Sequence, residues 1–220
     1  MPFELSYLHV DESLLVIDKP SGMLAVPGRG EDKQDCALAR VLQRFPDALV
    51  VHRLDQPTSG LMMLARHPEA QRALGHALAE RRISKIYHAV VAGQPSEMTG
   101  TVTLPLCCDW PNRPRQMVNF EHGKPSETHW RCLGRHPQVE GGTRMELRPI
   151  TGRSHQLRVH MQAMGHPIVG DGLYAPDNVR QDAARLLLHA TQLEMIHPRS
   201  GERLVIHSPT PFFDPRVSKH

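Results

Sequence analysis

The sequence predicts an α/β (α+β) fold: one large mixed, mainly antiparallel sheet flanked by helices and loops. Three observations predict it. Short apolar runs of strand length, such as LLVI at 14–17 and LMMLA at 61–65, recur along the chain. Segments of helical spacing are interleaved with them instead of gathering at one end. No internal repeat, low-complexity tract or interdomain linker interrupts the pattern, so the 220 residues are expected to form a single domain over 1–220.

Taken in order, Leu14–Ile17 reads as a buried strand running into the turn signal Asp18-Lys19-Pro20-Ser21-Gly22. Asp35 to Phe45 reads as a helix capped by Asp35, with Leu38, Val41, Leu42 and Phe45 at helical spacing and Pro46 closing it. Leu61–Ala65 is a strand buried on both faces. Pro68 then starts a helix with Ala70, Ala73, Leu74, Ala77 and Leu78 on one face, and Arg81 and Arg82 suit its negative end. Lys85–Ala92 is a further strand. Residues 93–124 are proline-rich and irregular, which fits a hairpin or lobe. Strands return at 127–133 and 144–150. A helix follows residues 151–154, with Leu157, Met161 and Met164 facing the core and Gly165 ending it. Leu186–Leu188 and Leu204–Ile206 supply late strands.

Composition narrows the functional classes. The hydrophobic fraction is 40%, no apolar run approaches the roughly 20 residues of a membrane span, and the acidic N-terminus does not resemble a signal peptide. A cytoplasmic protein is expected. Cys36, Cys107, Cys108 and Cys132 show neither CxxC pairing nor zinc-ligand spacing, as for free thiols in a reducing compartment. The 15 histidines form no recognisable ligand set, so no metal is expected. Walker, HExxH and GxSxG motifs are missing. A formal charge of +3, carried more by arginine than by lysine, permits a nucleic-acid partner without requiring one.

Polar groups concentrate beside buried elements in three places. In VHRLDQPTSG (51–60), Pro57 and Gly60 shape a turn that Thr58 and Ser59 can tie, so Asp55 projects either as a functional carboxylate or as a local turn cap. Tyr87 in KIYHAVV is either core filling or a phenol facing a pocket. In TGRSHQLRVH (151–160), His155 and Arg158 are three apart and are expected to share a helix face. Arg153 stands at the positive end of that helix, where an anion is preferred. A carboxylate or phosphate partner would account for it, and so would a plain surface position.

HRLDQPTSG resembles the HRLD-x-x-TSG signature of RNA pseudouridine synthases of the RluA type. IDKPSGMLAVPG is similar to that family's KPxG motif, KIYHAVVAG to its KxY strand, and PITGRSHQLRVHMQAMGHPIVGDGLY to its GRxHQxRxH block. LLLHATQLEMIHP also fits, so the resemblance runs from about residue 10 to 209. LPLCCDWPNRPRQM and GKPSETHW are most similar to members acting on both a tRNA anticodon stem-loop and large-subunit rRNA. The resemblance implies one pseudouridine synthase catalytic domain with no N-terminal S4-type domain.

The implied reaction breaks the bond between ribose C1′ and uracil N1, turns the base, rejoins it through C5 and releases the C5 proton. No cofactor is needed. The resemblance makes Asp55 the essential group, either as nucleophile or as base toward a ribose proton. Either role needs an ionised carboxylate, which a cation within about 4–6 Å favours; Arg153 is the implied ion-pair partner. Tyr87 is expected to stack on the uracil and to serve the C5 proton step. The target base must leave its stack, with Arg53 filling the vacated space and His52 assisting. Arg158, His155, Arg113 and Arg115 are expected among the RNA-contacting residues. The RNA substrate would be stem-loops of tRNA, of large-subunit rRNA, or both, met by a monomer with no obligatory protein partner. The competing reading is a stem-loop binder or chaperone without chemistry.

Overall fold

The computed structural model describes residues 5–213. In chain order its elements begin with β1 (Ser6–Val10), β2 (Leu14–Lys19), α1 (Ala37–Arg44), β3 (Leu49–Val50), β4 (Ser59–Ala65) and α2 (Pro68–Ala79). Strands β5 (Ser84–Ala92), β6 (Thr99–Val102), β7 (Leu106–Cys108), β8 (Gln116–Val118), β9 (Thr128–Arg135) and β10 (Gly142–Pro149) follow. The chain continues through α3 (Gln156–Ala163), α4 (Asp177–Gln181), β11 (Leu188–Ile196) and β12 (Arg203–His207). The described residues divide into two compact units, 5–85 with 189–209, and 86–188 with 210–213.

In the first unit, β4 is central. Antiparallel β2 lies against six of its seven residues, from Leu14 opposite Ala65 to Lys19 opposite Gly60. Its other side is shared between β11, parallel at Ser59 and Gly60, and β3, antiparallel at Leu64 and Ala65. This explains SGLMMLA: a strand covered on every side has no position for a polar side chain longer than serine, and all seven residues are buried. β1 extends the sheet beyond β2, and β12 pairs with β11. The pairing is mixed and mainly antiparallel, as predicted.

Gly60 is required by this geometry. Its φ is +107°, and a Cβ there would stand 2.3 Å from the Ala190 carbonyl oxygen on β11. Gly60→Ala is expected to cost roughly 2–4 kcal/mol in urea unfolding, through backbone strain and overpacking. Gly75 lies inside α2 with nothing within 4 Å of its would-be Cβ, so Gly75→Ala should stabilise by about 0.5–1 kcal/mol. Equal effects at the two positions would contradict the assignment.

In the second unit, β5, β10, β9 and β6 pair antiparallel in that order. The irregular stretch after Gly93 contains β6 and the separate hairpin β7–β8. Helix α3 begins at Gln156 and is followed by Gly165 at φ +81°.

Several boundaries differ from expectation. Helix α1 is capped by Cys36, whose Sγ accepts the Ala39 N–H, while Asp35 forms a bidentate pair with Arg40. Leu42 faces solvent and not the core. Ala73 in α2 is likewise exposed. Strand β11 starts only at Leu188, because Leu187 is engaged by its N–H to the Val169 carbonyl.

Candidate active site

The HRLD segment is extended, and its side chains alternate in exposure. Arg53 is exposed, Leu54 is buried and Asp55 is partly buried at the mouth of the turn into β4. The Thr58 N–H donates to the Asp55 carbonyl and closes the turn. His52 is held from behind: its Nε2 accepts the Met63 N–H of β4. Burial, and then the positive charge of Lys85, drive the His52 pKa down to about 3, so the ring is neutral.

A second turn clamps the first. Lys19 is wholly buried, and its ammonium donates to the carbonyls of Pro20 (2.9 Å), Met23 (2.7 Å) and Gln56 (3.1 Å). Ser21 Oγ donates to the Pro57 carbonyl, and the Gly22 N–H and carbonyl engage the backbone and side chain of Gln56. Residues 19–23 thus fix the two residues directly after Asp55. Beneath them, Ser59 Oγ lies 2.8 Å from His189 Nδ1, His189 Nε2 lies 2.9 Å from Ser208 Oγ, and that hydroxyl donates to Asp18. Lys19, His189 and Ser208 serve this site from positions to which the motifs alone assign no role. A lysine two residues past the apolar run Leu14–Ile17, at the end of the same strand, was the available signal.

In the second unit, Tyr87 lies on β5 opposite Leu147 and is 9% exposed. The GRSHQLRVH block is split into outward and inward residues. Arg153 is exposed, with its Nε donating to the Pro125 carbonyl. His155 is not on the helix: it is the N-cap, in the left-handed region at φ +54°, with Nδ1 2.6 Å from the Tyr174 hydroxyl. It therefore does not share a helix face with Arg158.

Arg158 was expected to contact RNA, but it is 2% exposed and forms a bidentate pair with buried Asp171, leaving no guanidinium surface to offer. Gln156 accepts from Thr151 and the Arg153 N–H while donating to Glu127 and Thr128. His160, buried and shifted down by desolvation, is tied to Thr128, Ser126 and Leu104. Three of the motif's polar side chains are framework.

At the far end of β2 and β4, His9, Asp11 and His197 come together with ligand-capable atoms within 4.8 Å. His197 Nδ1 accepts the N–H groups of Arg199 and Ser200, which puts the ring proton on Nε2, toward Asp11. Asp11 also accepts the Ser13 and Leu14 N–H groups. Burial alone would raise its pKa, but these bonds with those of the histidines outweigh it and bring it to about 2. The cluster is a clasp between β1 and the end of β11.

The comparisons with known proteins decide the family. Residues 13–163 match the RNA pseudouridylate synthase model. The chain belongs to the RNA pseudouridylate synthase family. It is 46% identical to the dual-specificity RNA pseudouridine synthase RluA of Escherichia coli (strain K12) over 208 residues, covering 94% of each chain. It is 48% identical to the protein of the same name from Yersinia pestis, covering 88% of this chain and 93% of that one. The structure of human RNA pseudouridylate synthase domain containing 1 superposes with a TM-score of 0.79 at 30% identity, over 97% of this chain and 86% of the human one. Like its relatives, this pseudouridylate synthase is an isomerase that converts RNA uridine to pseudouridine, and its α+β fold is that of the family. Among the described residues, no helix is long and apolar enough to cross a membrane.

The neutral state of His52 has a measurable consequence. Unfolded histidine titrates near 6.5, and a folded value near 3 means the unfolded chain holds one more proton between those limits. Stability is then complete above pH 6.5 and falls as pH drops toward 3. Burial lowers His88 and His160 in the same direction. Urea midpoints measured from pH 7 to 4.5 should decline, and His52→Asn should make the decline shallower. An unchanged profile in that variant would refute the coupling.

Proposed function

We propose that this enzyme isomerises specific uridines in stem-loops of tRNA, of large-subunit rRNA, or of both, as a cytoplasmic monomer formed from one catalytic domain. The observation that carries this reading is 46–48% identity over about nine tenths of the chain to several proteins named as dual-specificity enzymes. In the proposed cycle the target base flips out, Arg53 occupies the vacated stack, and Asp55 attacks C1′ or removes a ribose proton. Arg153 acts as the ion-pair partner of Asp55, and Tyr87 stacks on the uracil and serves the C5 proton step. His155, Arg113 and Arg115 contact the RNA. His52 positions the turn from behind, through Met63. The exposure of Arg53 and Arg153 and the clamp on residues 56–57 support these roles.

The test is direct. Purified protein is incubated with tRNA and rRNA stem-loop transcripts, and pseudouridine is mapped by carbodiimide-dependent primer stops. A stop in either transcript is expected. If neither is modified, the target assignment is wrong, while modification of other RNA would leave the family activity intact. Arg153→Ala should lose most activity; normal turnover in that variant would remove the ion-pair role.

A further inference from the structure

Only two tryptophans occur in the chain, and they are used in opposite ways. Trp130 is 9% exposed, whereas Trp110 is 68% exposed at the tip of the β7–β8 hairpin. That tip is stiff. The Asp109 N–H donates to the Arg115 carbonyl, the Asn112 N–H to Asp109, and the Arg115 N–H to Asn112. The Asn112 side chain also donates to the Asp109 carboxylate, and Pro111 and Pro114 restrict the backbone further. The exposed Arg113 guanidinium lies over the indole, 4.7 Å from the ring centroid.

We propose that the Trp110–Arg113 tip is a stacking platform for an unpaired nucleobase of the RNA, a role that rests on the pseudouridine synthase reading and deepens it. Flat aromatic and guanidinium faces recognise splayed-out bases without reading their edges, and the cation–π contact orders the pair in advance. The platform is continuous with residues already placed at the site of the same unit. Arg115, next along the tip, lies 5.5 Å over the Tyr174 ring. The Tyr174 hydroxyl accepts the Gln116 N–H of β8 and contacts His155 Nδ1, two residues from Arg153. One buried phenol thus joins the hairpin to the GRSH turn, so the Trp110–Arg113 tip is tied to the turn that carries Arg153. An exposed ring with a guanidinium on it suits an unpaired base and the phosphate beside it.

The experiment uses the tryptophan itself as reporter. Asp55→Asn protein is titrated with a tRNA anticodon stem-loop transcript while emission is recorded, and binding is measured in parallel by gel shift. Emission at the long wavelengths of an exposed indole should be quenched on binding, and Trp110→Phe added to this variant should abolish that quench; in the active enzyme Trp110→Phe, which keeps a flat ring, should restore most of the binding that Trp110→Ala loses. Trp110→Ala, at an exposed position and checked for folding by circular dichroism, should raise KM about tenfold with kcat unchanged. A transcript with abasic loop positions flanking the target should show the same loss on wild type and no further loss on Trp110→Ala. RNA binding without quenching, or a wild-type KM in Trp110→Ala, overturns the platform. Absence of pseudouridine in the wild-type reaction would instead refute the enzyme reading, so the two failures are distinguishable.

Discussion

Asp55→Asn should abolish pseudouridine formation, by roughly 10³-fold or more, in a protein that still folds. The amide matches the carboxylate in size but can neither form an ester with C1′ nor accept a ribose proton, so both routes stop. Backbone contacts hold the turn in shape. It is closed by the Asp55 backbone carbonyl and held by Lys19, Ser21 and Gly22 through residues 56 and 57. The urea midpoint should therefore correspond to a change within about 1 kcal/mol. Activity is read as tritium released from C5-labelled uridine in a stem-loop transcript, because the hydrogen lost from C5 passes to water. A variant that folds and still releases tritium at the wild-type rate would show that some other group carries the reaction. The RNA-binder reading predicts that the substitution changes nothing, so the same experiment separates the two.

What could be read from the sequence, and what could not, follows from the range of the interactions. Strand β4 was legible because burial on every side leaves an uninterrupted apolar run, and α2 because Pro68 and the Ala70, Leu74, Ala77 spacing are local signals. The Cys36 cap was not, since a thiol is a rare cap and Asp35 beside it is a common one. Lys19 reaches the carbonyl of Gln56, 37 residues away, and a backbone acceptor leaves no side-chain pattern to find. The division of GRSHQLRVH was misread for a geometric reason. Spacing arguments assume that a helix includes His155, but the left-handed backbone there starts the helix one residue later and turns Arg158 inward. Asp171, which makes that burial possible, is 13 residues beyond it on a different segment.

The second large effect concerns that pair. Arg158 Nε and Nη2 donate to the two Asp171 oxygens at 2.8 and 2.7 Å, with 2% and 0% of the two residues exposed. A pair this buried contributes little net stability, since the desolvation of both charges offsets their attraction, yet removing one member strands the other. Arg158→Met should destabilise by about 3–5 kcal/mol in urea unfolding at low temperature. Arg158→Met/Asp171→Asn should cost clearly less than the sum of the single changes, because the asparagine oxygen can still take the Leu173 and Tyr174 N–H groups that Asp171 now accepts. If Arg158 instead contacted phosphate, Arg158→Met would leave the urea midpoint in place and reduce the salt dependence of RNA binding by about one charge. Those two outcomes cannot be confused, and they separate a guanidinium that frames the site from one that touches the substrate.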